Sequence, residues 1–204
     1  MKTYLSIDLD YWLHNGNNYH VIPRQMFRLF KSLSSMNKVI VKDHEQLLPF
    51  IEKLNVERII HIDYHQDIAY PYWEDDSVEL NCGTFWYFLQ NRKNINFHWI
   101  YPRNVCKTDN GGICMNMGIS NPLKKKNWIF RKQTTRKGLS GYTKFGDMNI
   151  VGIGVSVSRN YCYTAPSNLD EIVDFLIKLG YHDHNYYQPT NKELEVQYAS
   201  ECTV

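Results

Sequence analysis

Arg58-Ile59-Ile60-His61-Ile62-Asp63-Tyr64-His65-Gln66-Asp67 is the stretch on which the fold turns. Its first half is apolar and rich in β-branched residues, the composition of a buried strand. Its second half is a run of carboxylates and imidazoles, which a sheet core does not tolerate. A buried strand that ends abruptly in ionisable groups matches the carboxyl edge of an open parallel sheet, where ligands bind.

Two other segments repeat the pattern. Residues 4–10 read as a short buried strand ending in Asp8 and Asp10, and Val39-Ile40-Val41 runs straight into Asp43-His44. Helical signals lie between and after these strands. Pro23 sits where a first helical turn tolerates it, and Met26, Leu29, Phe30 and Leu33 follow at helical spacing, which predicts a helix to about Ser34. A second helix is expected over residues 46–54 with Pro49 in its first turn, and a third over residues 83–90. Residues 96–101 and 149–158 read as strands. Ser167 opens a last helix that buries Ile172, Phe175, Leu176 and Leu179, and Gly180 closes it. The alternation implies βαβ crossovers and a mostly parallel sheet. The expected fold is α/β, three-layer α-β-α, with residues 1–204 forming a single domain.

Residues 103–145 break the pattern. They carry Lys107, Lys124, Lys125, Lys126, Arg131, Lys132, Arg136 and Lys137 against Asp109 as the only acid. This basic insertion reads either as an irregular solvated loop, hairpin included, or as a surface that docks an acidic peptide. The polar, Tyr-rich tail after Tyr181 carries no assignable pattern.

Bulk properties narrow the function classes. At 43% hydrophobic the chain can bury a real core, and a net charge of +2 favours no particular partner. The 15 tyrosines suit core packing or a groove for an organic ligand. Five cysteines without a CxxC pair argue against a disulfide framework or zinc knuckle, and for a reducing cytoplasm. Charged residues come too early for a signal peptide, and no apolar run approaches the roughly 20 residues of a membrane span. A soluble, cytoplasmic protein is expected. Nucleic acid is not favoured, because no recognised motif accompanies Lys124–Lys126.

The chemistry concentrates at the strand ends. Asp63, His65 and Asp67 alternate at spacing two, so they share one face or converge where the chain turns. Asp8 and Asp10 repeat that spacing, and His44 follows the third such strand. Any one pair alone also fits a turn or a helix cap; the joint occurrence points to metal. Four bare carboxylates in one pocket repel one another and drive protonation, and two divalent cations balance their charge. Oxygen-rich donors with two imidazoles and no thiolate suit two Mn²⁺, with Fe²⁺, Co²⁺ or Zn²⁺ as weaker candidates. His61 is read as a structural histidine pointing to the opposite face, and His20, His98, His182 and His184 have no comparable context.

The segments Val39-Ile-Val-Lys-Asp43-His44-Glu-Gln-Leu-Leu-Pro-Phe50, Ile59-Ile-His-Ile-Asp63-Tyr-His65-Gln-Asp67 and Glu79-Leu-Asn-Cys-Gly83, with Ser6-Ile-Asp8-Leu-Asp10, resemble the arginase/deacetylase superfamily. Within it the chain is most similar to the peptide arginases of ribosomal-peptide pathways, over about residues 38–101 plus the N-terminal motif. The resemblance implies an arginase-like fold with His44 and Asp67 on a first metal, His65 and Asp10 on a second, and Asp63 and Asp8 bridging both. It implies hydrolysis of arginine to ornithine and urea, with the arginine held in a precursor peptide. There are two departures. Arginases carry the Ser-x-Asp-x-Asp strand late in the chain, so its place here resembles a circular permutation. They also place a shuttle His where this chain has Asn81-Cys82-Gly83. Cys82 and Asn81 are pocket-lining candidates, although Cys82 also fits a small buried hydrophobe at a helix start. Glu74, beside Asp75 and Asp76 in an aromatic setting, could pair with a guanidinium or form a solvated loop. Glu45 could contact substrate or favour a helix start, and Ser158, with Ser156, closes another strand toward the pocket. The rival readings are a metal-dependent amide deacetylase and a non-catalytic binding protein on the same scaffold.

Overall fold

A computed structural model describes residues 1–13, 22–33, 37–65, 67, 80, 89, 95–101, 128–132, 145, 148–162 and 164–186. Among these residues seven strands form one sheet: β1 (Thr3–Asp8), β2 (Lys38–Val41), β3 (Arg58–Ile62), β4 (Asn96–Tyr101), β5 (Trp128–Lys132), β6 (Ile150–Ser156) and β7 (His182–Asp183), in the order β5-β4-β3-β1-β6-β2-β7. Every adjacent pair is parallel. The fold is therefore the α/β architecture that the strand–helix alternation predicts. β1 is central and buried along its whole length, which its uninterrupted Tyr-Leu-Ser-Ile core permits.

Side-chain alternation divides the sheet into two faces. Leu5 and Ile7 of β1, Ile60 and Ile62 of β3, and Ile153 and Val155 of β6 pack with α2 (Ile22–Ser32) and α4 (Pro166–Lys178). Met26, Leu29 and Phe30 bury the inner face of α2 as their spacing predicts. Along α4 the buried set is Leu169, Ile172, Val173 and Leu176; Phe175 and Leu179 are only half-buried, because the helix is rotated slightly toward Val173. Gly180 closes α4 with φ +84 and donates to the Ile177 carbonyl at 2.9 Å, a left-handed cap that favours glycine.

The other face, with Tyr4, Val39, Val41, Ile59, Phe97 and Trp99, packs under a 3₁₀ turn (His44–Leu47) that continues into α3 (Leu48–Lys53). Pro49 lies in the first turn of α3, as expected. Two glycines of β6 let this arm close on the sheet. A Cβ on Gly152 would stand 2.6 Å from Leu54 Cδ1, and one on Gly154 would stand 2.5 Å from Leu47 Cδ2. Both positions must be bare for the turn bearing His44 to seat where it does.

The helix expected over 46–54 is the 3₁₀ turn and α3, the strand expected over 149–158 spans Ile150–Ser156, and the last helix starts at Pro166; three further departures shape the sheet. The first strand stops at Asp8 rather than running to Asp10, because Asp8 Oδ1 accepts the Asp10 amide at 2.9 Å and turns the chain into α1 (Asp10–Leu13). Within the basic segment 103–145, Trp128–Lys132 is an edge strand paired in parallel with β4, not a loop or hairpin arm. The polar tail contributes β7, whose two residues pair with β2. The rest of the basic segment apart from Phe145, and the expected helix over residues 83–90 apart from Leu89, lie outside the described residues. No helix among the described residues is long and apolar enough to cross a membrane.

Candidate metal centre

Four contiguous strands, β3, β1, β6 and β2, end at one place. Each is followed by a residue or turn that carries a donor: Asp63 after β3, Asp10 after β1, Ser158 after β6 and His44 after β2. Asp8 is the last residue of β1. Asp8, Asp10, His44, Asp63 and Asp67 are all buried; His65 keeps 34% of its side chain exposed. The sheet thus brings together all six residues that the sequence nominates as metal ligands.

His44 Nδ1 is the hub of a first group. Asp67 Oδ2 lies 2.7 Å away, and Asp8 Oδ2 and Asp63 Oδ2 each lie 3.2 Å away. Ser6 Oγ lies 2.7 Å from His44 Nε2, on the opposite edge of the ring. A proton on Nε2 would donate to Ser6 and leave the Nδ1 lone pair facing the carboxylates, the usual way a ligating imidazole is oriented. A second group is built around His65. Its Nδ1 lies 2.7 Å from Asp10 Oδ2, and its backbone N–H donates to Asp63 Oδ1 at 2.6 Å. The Tyr64 amide donates to Asp10 Oδ1 at 3.2 Å. Asp63 therefore faces His44 with one oxygen and the His65 side with the other. Its carbonyl accepts the Trp99 indole N–H at 3.2 Å, which fixes the chain where β3 ends.

Asp8 has its own support. Ser158 Oγ donates to Asp8 Oδ2 at 2.5 Å, and Ser156 Oγ lies 2.7 Å from Ser158 Oγ. Ser158 has φ +46 and Asp67 has φ +53, two of the three non-glycine residues in the left-handed region among those described, the third being Asn55 before β3. Such residues cost about 1–3 kcal/mol each and cluster at functional sites. Both belong to this cluster.

The electrostatics are those of a site that wants cations. Burial, then the charges of Asp63 and Asp8, hold the Asp10 carboxyl well above its ordinary range. Burial, then Asp67 and Asp8, do the same to Asp63. Burial opposes ionisation of Asp8 too, but hydrogen bonds from His44 and Ser158 outweigh it and its pKa falls. Burial works against the His44 imidazolium, yet contacts with Asp63, Asp67 and Asp8 push its pKa well up.

The donor set fits metal. Donors held about 2.1 Å from one ion stand about 3 Å apart, and the oxygens around His44 Nδ1 keep distances of 2.7–3.2 Å. Among the described residues two overlapping groups could hold an ion: His44, His61, Asp63 and Asp67, and Asp10, Asp63 and His65.

His61 in that first group is a correction. Expected on the opposite face, it is fully buried with Nε2 3.1 Å from Asp63 Oδ2 and 3.7 Å from Asp67 Oδ2. Residues two apart on an extended chain share a face, so the spacing of His61 and Asp63 was itself the signal. Burial, then the His44 charge, lowers the His61 pKa to about 3, so its ring is neutral. Ser6 was likewise missed as the partner of His44.

The remaining candidates divide as follows. Ser158 is committed to Asp8, so its role here is to orient that carboxylate. Glu45 sits beside His44 in the 3₁₀ turn with Oε2 buried, and burial raises its pKa. Glu74, Asn81 and Cys82 lie outside the described residues. Comparison with protein-family models, with curated proteins and with solved structures returns no significant match. The functional reading therefore rests on the donor geometry and on the motif resemblance.

Proposed function

We propose that the chain is a dinuclear metal hydrolase of the arginase type that converts arginine side chains of a precursor peptide to ornithine, releasing urea. The observation that carries it is the sharing of Asp63 between two donor groups: one oxygen turns to His44, the other to His65. Asp8 stands beside it as the second shared carboxylate, held by Ser158 and the Asp10 amide. In this reading His44 and Asp67 complete one site, Asp10 and His65 complete the other, and the pair is Mn²⁺.

Two bound divalent cations supply a deprotonated water near neutral pH and a Lewis acid for the developing charge. The protein supplies placement. Ser6 orients His44, Ser158 orients Asp8, and the Trp99 indole anchors the backbone of Asp63. The first donor group is buried, whereas His65 is partly open and its ring lies 5.4 Å from that of Tyr161, itself 43% exposed. Substrate then reaches the site from the His65–Tyr161 side, where an aromatic ring can pack against a flat guanidinium. The choice of arginine, and its setting in a peptide, follow the motif resemblance.

The test is to load the purified protein with Mn²⁺ and offer free arginine, arginyl peptides and acetyl-lysine peptides. Urea release with a loss of about 42 Da from an arginyl peptide is the expected result. Deacetylation also removes about 42 Da, so the modified residue and the small product must both be identified. Acetate from an acetyl-lysine peptide would replace the reading with a deacetylase. Bound metal with no turnover would leave a binding protein.

A further inference from the structure

The two donor groups are not equivalent. The second holds one imidazole, His65. The first holds His44 and has His61 directed at the same carboxylates. His61 belongs to β3, in register with Ser6 of β1 and Trp99 of β4 on its two sides. Its ring lies 4.8 Å from that of His44 and 5.6 Å from that of Phe97, so it is packed on an apolar floor with Nε2 toward the acids. Nε2 stands 3.1 Å from Asp63 Oδ2 and 3.7 Å from Asp67 Oδ2. Adjacent donors around an ion at about 2.1 Å are separated by about 3.0 Å in octahedral and about 3.4 Å in tetrahedral geometry. The observed separations match an atom that shares an ion with both oxygens.

Resting on the dinuclear reading, we infer that His61 Nε2 is a ligand of the first metal, which makes that site a two-imidazole site with a different ion preference from its neighbour. Imidazole favours Fe²⁺, Co²⁺ and Zn²⁺ over Mn²⁺, and affinity rises along that series. The first site therefore binds a later transition metal more tightly than Mn²⁺, whereas the second, richer in oxygen, discriminates less between them. Offered both Co²⁺ and Mn²⁺ in limiting amounts, the protein binds one of each.

The proton NMR spectrum of the Co²⁺-loaded full chain decides the point without mutation. Three strongly shifted exchangeable imidazole N–H signals are expected, from His44, His61 and His65; two signals would overturn the inference and leave the dinuclear site intact. Failure to bind Co²⁺ at all would remove both readings. Metal titration of His61→Asn supplies the second arm. The tighter Co²⁺ step should weaken by about tenfold or more, and the Mn²⁺ affinity of the other site by less than about threefold. A folded variant with unchanged Co²⁺ affinity would show that His61 merely supports Asp63.

Discussion

The two faces of the sheet are made by the same strands, yet they carry different loads. On one face, Leu5, Ile7, Ile60, Ile62, Ile153 and Val155 run apolar from end to end beneath α2 and α4. On the other, the three central strands β1, β3 and β6 change character along their length: Tyr4 gives way to Ser6 and Asp8, Ile59 to His61 and Asp63, and Gly152 to Ser156. Full burial of an aliphatic side chain contributes about 1.5–3 kcal/mol, so the first face is a continuous source of stability. The second gives up that contribution at its carboxyl edge and accepts buried charge instead. The fold can afford a poorly solvated acidic cluster because the reverse side of the same residues' strands is dry. Stability and chemistry are separated by one residue of alternation.

Substitutions on the two faces should therefore fail in different ways. Asp63→Asn is expected to have the largest effect: metal is lost from both donor groups and, on the hydrolase reading proposed above, turnover falls by about 10³-fold or more. The metal-free thermal midpoint should hold or rise, since the amide resembles the protonated carboxyl that the cluster already favours. Metal analysis after gel filtration, with calorimetry, reads both quantities. Ile62→Ala, one residue away on the dry face, should do the reverse. It costs about 2–5 kcal/mol of stability and leaves the metal content of the folded protein unchanged. A variant of Ile62 that lost metal while keeping its midpoint would break the comparison. Between them stands Ser158→Gly, which removes the donor to Asp8 and relieves the left-handed backbone. Metal affinity should fall about 10–100-fold while the metal-free protein gains about 1 kcal/mol.

Period-two patterning made most of this readable. The strands at residues 39–41, 58–62 and 96–101 are short β-branched or aromatic runs, and where such a run meets an acid the sheet has reached its edge. The six nominated ligands converge because each ends or follows a strand, and that regularity needs no long-range information. His61 escaped because its partner face was misassigned, although the spacing to Asp63 was in view. Ser6 escaped for a different reason: serine in a buried strand is chemically silent until the strand across the sheet brings His44 Nε2 within 2.7 Å. The edge strand Trp128–Lys132 was hidden by its surroundings, since flanking lysines and arginines dilute five residues of strand pattern. β7 is two residues long and pairs with β2, below what any local pattern can announce.

The smallest effect, and the one most specific to the acidic edge, is the pH dependence of the metal-free protein. Asp10 and Asp63 have raised pKa values, as does His44. Above the ordinary carboxylate value of 3.8, the folded state therefore holds protons on Asp10 and Asp63 that the unfolded chain has released. Above the ordinary imidazole value of 6.5 the same holds for His44. Stability must fall as pH rises through that range, because the unfolded state then binds fewer protons. His61 acts in the opposite sense, but only between about 3 and 6.5, where the unfolded imidazole charges and the buried one does not. The depressed Asp8 also acts only near its ordinary value and below. Raising the pH from about 6.5 to 9 should thus lower the midpoint of the metal-free protein by a few degrees, about 1 kcal/mol at about 2–4 °C each. Saturating Mn²⁺ should flatten the slope, since the ions displace those same protons, and binding should become tighter with pH. A metal-free midpoint that rises over this interval would mean that the carboxylates are already ionised and paired, and the asymmetry between the two faces would lose its electrostatic half.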